Sequence, residues 1–340
     1  MASTELHETA RAIVDDHKGI LAADESTGTI KKRFDSIDVE STEESRRFYR
    51  QLLFTAPGME DAIGGVILYD ETIRQKADDG TPFPELLASK GSIPGIKVDT
   101  GAHDLAGFPG EKVTEGLDGL RPRLEEYASL GARFAKWRAV ITIGEGIPTD
   151  ACLRANAHAL ARYASLCQEA GIVPIVEPEV LMDADNTLET CWEVTTRTLH
   201  ETFGALYELG IDLQGALLKP NMVISGKGCP AQASSERIAE ATIDCFLGVV
   251  PAAVPGIVFL SGGQSEVEAT ENLNAINKLG GPWPLSFSYG RALQASALAA
   301  WGGDAANAEA AQAAFAHRAR MNALAAAGAW SAELEQPVTA

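Results

Sequence analysis

Gln214-Gly215-Ala216-Leu217-Leu218-Lys219-Pro220-Asn221-Met222 is a short apolar run that ends in a lysine and is then stopped by a proline. Bounded by glycine and proline, a run of this length reads as a buried strand of a parallel sheet. A lysine at the C-terminal end of such a strand is costly unless its charge is used or neutralised. Taken alone, Lys219 is most simply a strand end that reaches solvent. Seven other segments that end the same way change that reading.

Before the lysine strand come residues 19–26 (GILAADES), 64–70 (GGVILYD), 93–99 (IPGIKVD), 132–140 (ARFAKWRAV) and 172–180 (IVPIVEPEV). After it come residues 256–264 (GIVFLSGGQ) and 285–291 (LSFSYGR). Helical patterns fill the gaps. One covers residues 4–17. A capping box, Ser41 with Glu44, opens another that runs through Leu53. A third carries Leu124 and Tyr127 and closes at Gly131, and a long one runs from about Thr149 to Gly171. Others end at Gly210, span about residues 235–249, and start at the capping box Ser265 to Glu268. Alternating strands and helices imply a parallel sheet. Eight such units in 340 residues predict a closed (β/α)8 TIM barrel. The expected organisation is one domain over residues 1–340. It starts with the helix at about 4–17 and ends in an Ala-rich helical segment and short tail at about 292–340. An open doubly wound sheet is the alternative, but the dinucleotide fingerprint it often carries is missing. Residues 144–149 (GEGIPT) lack the third glycine, and no Walker motif surrounds Gly226-Lys227.

Composition narrows the function. The chain is 46% hydrophobic and 22% charged, ordinary for a globular protein with a large core. No run approaches the ~18 apolar residues of a membrane span. Residues 1–18 lack a basic start followed by an apolar core, so no secretory signal is read there. The five cysteines are scattered and never in Cys-x-x-Cys spacing, which points to reduced thiols and a cytoplasmic location. A net charge of −19 argues against nucleic acid as a partner and demands a local positive island for any anionic substrate.

Barrels place their chemistry at the C-terminal strand ends. Here these ends are Asp24, Lys97, Lys136 with Arg138, Glu177 with Glu179, Lys219, Ser261, and Ser288 with Arg291. Period-two alternation puts Lys136 and Arg138 on one face, and Glu177 and Glu179 on one face. If that face is the interior, acids and bases crowd a single mouth, which a purely structural core avoids because unpaired buried ions are expensive. Metal chemistry has little support. None of the six histidines makes a His-Glu-x-x-His pair, and the interleaved lysines would repel Mg²⁺. Without a metal or other cofactor, a lysine amine that condenses with a ketone supplies the electron sink for a carbanion. The amine must be partly neutral, which a neighbouring cation promotes, and Lys136 is the candidate neighbour for Lys219. Asp24, Glu177 and Glu179 can divide the acid and base work. Ser261-Gly262-Gly263 and Gly290-Arg291 follow the last two strands, where barrels habitually bind phosphate. Arg291 can grip a phosphate through two parallel hydrogen bonds.

These residues resemble a known family. GILAADESTG (19–28), GGVIL (64–68), FAKWR (134–138), IVPIVEPE (172–179), LLKPNMV (217–223), FLSGGQ (259–264) and FSYGRALQAS (287–296) closely resemble class I fructose-1,6-bisphosphate aldolase, with likeness over about residues 10–325. The resemblance implies a metal-independent lyase of glycolysis and gluconeogenesis, acting on phosphorylated sugars. Through a lysine Schiff base it would cleave fructose 1,6-bisphosphate reversibly to dihydroxyacetone phosphate and glyceraldehyde 3-phosphate. It implies that Lys219 forms the imine, that Glu177 is the acid of carbinolamine dehydration, and that Asp24 handles the C4 hydroxyl proton. Lys136 and Glu179 would tune Lys219 and the proton traffic. Ser261, Gly262, Ser288, Gly290 and Arg291 would hold the C1-phosphate, and Ser26, Thr29, Arg33 and Lys97 the C6-phosphate end, with Arg138 also facing substrate. It further implies a cytoplasmic homotetramer. A transaldolase-like Schiff-base enzyme and a silent sugar-phosphate-binding or scaffolding barrel are the rival readings.

Two departures stand out. Thr29 replaces the family's usual serine, and the tail, ending Gln336-Pro337-Val338-Thr339-Ala340, lacks the family's terminal tyrosine. Enamine protonation is therefore expected to limit turnover, with Glu179 or a water as donor. Deletion of residues 331–340 is expected to change little.

Overall fold

The computed structural model describes residues 2–335. The end of the tail, 336–340, and the expectation attached to it lie outside the described residues. The strands are β1 (Gly19–Ala23), β2 (Ile63–Leu68), β3 (Ile93–Lys97), β4 (Gly101–Asp104), β5 (Lys112–Glu115), β6 (Phe134–Ile141), β7 (Val173–Val180), β8 (Leu217–Leu218), β9 (Ile257–Phe259) and β10 (Leu285–Tyr289). All but β4 and β5 form one closed barrel, in the order β1-β2-β3-β6-β7-β8-β9-β10, with β10 back against β1. The barrel pairs are parallel and helices run between the strands, so the fold is the (β/α)8 TIM barrel. β4 and β5 form an antiparallel hairpin at the rim. Its strands are mostly exposed and carry no apolar alternation to betray them.

The interior columns explain why the chemistry sits at one end. Successive inward side chains run Ile20, Ala22, Asp24 on β1; Phe134, Lys136 on β6; Val173, Ile175, Glu177 on β7; and Leu217, Lys219 on β8. Each column is apolar below and charged above. The apolar layer is completed from beneath by Leu6, Ala10, Ile13 and Val14, so the helix Ala2–Ile13 closes the bottom of the barrel. Phe134 lies across the floor, and a Cβ on Gly95 would come within 2.3 Å of its ring, so that position requires glycine.

β8 is only two residues long because Pro220 has no N–H to continue the ladder. Lys219 N still donates to Val176 O at 2.8 Å. The Asn221 side chain then takes over the missing role: Val180 N donates to its Oδ1 at 2.9 Å, and its Nδ2 donates to Thr195 at 3.1 Å. The Lys-Pro-Asn sequence thus ends a strand while holding the lysine rigidly.

Three local expectations change. The opening helix stops at Ile13 rather than near residue 17, where Asp16 and His17 take positive φ. The cap of the helix Glu43–Phe54 is Thr42, not Ser41, and the box closes with Ser45 rather than Glu44. Two adjacent hydroxyl residues compete for the cap, and Glu44 instead pairs with Arg47. The box of Ser265 with Glu268 forms as expected. Residues 331–335 are also not idle: Glu335 accepts from Trp330 Nε1 at 2.8 Å and pairs with buried Arg318. Removing it would strand a buried guanidinium, a costly loss. Among the described residues no helix is long and apolar enough to cross a membrane.

Candidate active site

The C-terminal strand ends open into a cavity of about 1130 Å³. Nine Lys and Arg side chains line it against seven Asp and Glu, an excess of two positive charges in a chain of net charge −19. This is the local positive island an anionic substrate needs.

At its base Lys219, Glu177, Lys136 and Asp24 form one charge-alternating chain. Lys219 Nζ lies 3.1 Å from Glu177 Oε1, and Lys136 Nζ lies 3.2 Å from Glu177 Oε2 and 2.8 Å from Asp24 Oδ2. All four are buried or nearly so, so each charge depends on its neighbour. Burial alone would push the Asp24 and Glu177 carboxyls up. Lys136 first, then Lys219, outweighs it and holds both below the usual carboxylate range. Burial would likewise lower Lys136, but Asp24, Glu177 and Asp99 reverse the effect and keep it an ammonium. Glu177 is therefore an ionised carboxylate lying between the Lys136 ammonium and the Lys219 amine nitrogen. The same-face reading of β6 and β7 holds, because Arg138 pairs with Glu179 one step further up the barrel.

Lys97 donates to Asp99 Oδ1 at 2.6 Å and to the Asp99 carbonyl at 2.8 Å. Asp99 also accepts from Arg138 N at 3.2 Å, tying the ends of β3 and β6 together. Sequence reasoning overlooked Asp99, although it sits two residues beyond Lys97 and period two already put the pair on one face.

On the opposite side, Ser261, Gly262, Ser288, Gly290 and Arg291 come together. Gly262 has φ +57°, a left-handed turn that suits glycine. Arg291 opens the helix Arg291–Trp301 and donates to Gly262 O at 2.6 Å. The Ser288 hydroxyl, on a residue of the cavity wall, is buried with no partner among the described residues, a free hydrogen-bonding group beside the anion-binding corner. Ser26 caps the helix Thr27–Asp35, and its Oγ lies 3.1 Å from Thr29 Oγ1.

Arg33 departs from its expected grouping. A Cβ on Gly290 would lie 3.4 Å from Arg33 Nη2, so its guanidinium stands by the Gly290-Arg291 corner. Lys97 is on β3, two strands round the barrel from β1. The cause is barrel closure: β1 neighbours β10, which linear order hides. Arg33 also pairs with Glu25, a buried acid at the cavity wall that sequence reasoning passed over. Among the described residues no cluster of His, Cys, Asp and Glu is placed to hold a metal ion. His103, the histidine nearest a strand end, is in the exposed rim hairpin.

Fold and site together define a barrel enzyme with a buried amine beneath a cavity suited to an anionic substrate. Residues 5–340 match the family model described as Glycolytic: Fructose-bisphosphate aldolase class-I. A probable fructose-bisphosphate aldolase class 1 of Xanthomonas campestris pv. campestris is 60% identical over 97% of this chain and 99% of its own length. A non-muscle-type fructose-bisphosphate aldolase of Lethenteron camtschaticum is 54% identical over 95% of this chain and 90% of its own. In a solved structure, the Plasmodium falciparum fructose-bisphosphate aldolase in complex with TRAP and a small-molecule inhibitor superposes with a TM-score of 0.96. It is 50% identical over 97% of this chain and 96% of that one. The chain belongs to the class I fructose-bisphosphate aldolase family. Its reaction is the reversible cleavage of fructose 1,6-bisphosphate to dihydroxyacetone phosphate and glyceraldehyde 3-phosphate, that of a metal-independent lyase, and the rival readings are set aside.

Proposed function

We propose that the cleavage runs through a Schiff base on Lys219. The observation that carries this reading is the position of the Lys219 amine, buried and 3.1 Å from a carboxylate that the Lys136 ammonium also holds. Lys219 gives up a proton to Glu177 and its neutral amine adds to the C2 carbonyl. A proton then passes from the nitrogen to the C2 oxygen to make the carbinolamine hydroxyl, and Glu177 returns its proton to that hydroxyl, which leaves as water. Lys136 remains charged throughout and keeps Asp24 ionised. Asp24 then removes the C4 hydroxyl proton, the C3–C4 bond breaks, and its electrons flow into the iminium. Glyceraldehyde 3-phosphate leaves, and the enamine is protonated at C3, with Glu179 or a water as donor. Hydrolysis of the imine releases dihydroxyacetone phosphate and restores the amine.

Ser261, Gly262, Ser288, Gly290 and Arg291 hold the C1-phosphate in this scheme. Lys97, Ser26 and Thr29 serve the far phosphate, Arg33 contacts substrate phosphate from the Gly290-Arg291 corner, and Arg138 borders the substrate. The family description supports a place in glycolysis and, in reverse, gluconeogenesis. The resemblance supports a homotetramer, and the resemblance with the free, buried cysteines supports a cytoplasmic location.

With fructose 1,6-bisphosphate as sole substrate and no acceptor sugar, activity is expected to survive dialysis against EDTA undiminished. Loss that Zn²⁺ or Mg²⁺ restores would exclude the imine route. Arg291→Ala is expected to raise KM about tenfold to a hundredfold, the worth of a charge-assisted contact. A KM within about twofold of the parent would remove Arg291 from the phosphate site.

A further inference from the structure

Glu25 lies one residue beyond Asp24, and its carboxylate is buried. Three side chains converge on it. Arg50 Nη2 donates to Oε2 at 2.6 Å, Gln294 Nε2 donates to Oε1 at 3.1 Å, and Arg33 pairs with Oε1. Gln294 Nε2 also donates to Ala22 O at 2.9 Å, which fastens the cluster to β1. Burial would raise the Glu25 carboxyl, but Arg33 and Arg50 outweigh it and keep it ionised.

The cluster holds two guanidinium groups for one carboxylate. An uncompensated buried cation is expensive, and the cost falls if an anion arrives. Two atoms of the cluster, Arg50 Nη1 and Gln294 Oε1, are buried without partners among the described residues. Arg33 is the member at the cavity: its side chain is 20% exposed against 3% for Arg50. Arg50 is thus enclosed within the protein, while Arg33 extends past Glu25 to the Gly290-Arg291 corner. Freezing a long, rotamer-rich side chain on binding costs affinity, and a tether in the free protein removes that cost.

We propose that Glu25 is a positioning residue that anchors Arg33 beside Gly290 and Arg291, with Arg50 and Gln294 holding Glu25 in turn, so that a second guanidinium stands ready for a substrate phosphate. This rests on the reading above that Arg33 contacts substrate phosphate. It makes Arg33 the partner of Arg291 rather than of Lys97. The competing view is a buried ion cluster that only stabilises the fold.

A kinetic cycle with fructose 1,6-bisphosphate separates the two. It compares the parent, Glu25→Gln, Arg33→Ala and the double variant. If Glu25 acts through Arg33, Glu25→Gln raises KM about tenfold with kcat within about twofold, because a guanidinium–phosphate contact loosens while the chemistry is untouched. Added to Arg33→Ala, the same change should then raise KM by less than about twofold. An equal rise in both backgrounds, or a fall in kcat alone, overturns the proposal. An Arg33→Ala KM equal to the parent's removes the phosphate reading of Arg33 itself, and the proposal with it. If Glu25→Gln leaves Arg50 too costly to bury and the variant does not fold, the same cycle in the Arg50→Met background carries the test.

Discussion

Lys219→Met abolishes cleavage of fructose 1,6-bisphosphate, with kcat lower by at least about 10⁴-fold, since the covalent route has no other amine to use. The fold survives. Methionine fills the volume of the lysine stem with a flexible apolar chain. The substitution also leaves no charge stranded, because Glu177 keeps Lys136 at 3.2 Å. Circular dichroism and thermal unfolding should stay close to the parent. A variant that folds normally and keeps more than a tenth of the parent's kcat would show that the reaction does not need this amine.

Lys136→Met damages both activity and stability. Lys136 links the two acids, at 2.8 Å from Asp24 and 3.2 Å from Glu177. Without it Glu177 retains Lys219, whereas Asp24 has no other ion pair within 4.0 Å among the described residues. Breaking a buried pair from one side costs about 3–5 kcal/mol. Loss of a group that sets two protonation states lowers kcat by about 10²–10⁴-fold. The pH dependence follows from the signs. The Asp24 carboxyl is held low in the folded parent, chiefly against its own burial by Lys136. Such a group adds stability above the ordinary carboxylate range, and that stability is lost as the pH falls. Parent and variant should therefore differ most in unfolding free energy near neutral pH and converge in acid. A gap that widens as pH falls below about 4 would contradict this pairing.

The barrel was legible in the sequence because each inward column obeys two rules at once. Ile20, Ala22 and Asp24 alternate with outward residues and switch from apolar to charged at the strand end, as do Val173, Ile175 and Glu177. The pair of same-face residues on β6 and the pair on β7 could be matched before any contact was known. What remained hidden depends on neighbours that linear order does not reveal. Arg33 reaches Gly290 because the barrel closes β1 onto β10. Glu25 reads as a solvated acid until Arg50, on the helix Glu43–Phe54, covers it. The rim hairpin buries Thr114 alone among its strand residues, too little to impose an alternating pattern, and at Ser41-Thr42 two equally competent caps stood side by side. Asp99 differs from these. Its pairing with Lys97 obeys the same period-two rule as Lys136 with Arg138, and it was there to be read.

The imine on Lys219 is tested most directly by reducing the protein with borohydride in the presence of dihydroxyacetone phosphate and mapping the adduct by mass spectrometry. The predicted result is a single stable adduct on Lys219, absent from Lys219→Met. An adduct on Lys97 or Lys136 instead, or none in a preparation that turns over substrate, would contradict it.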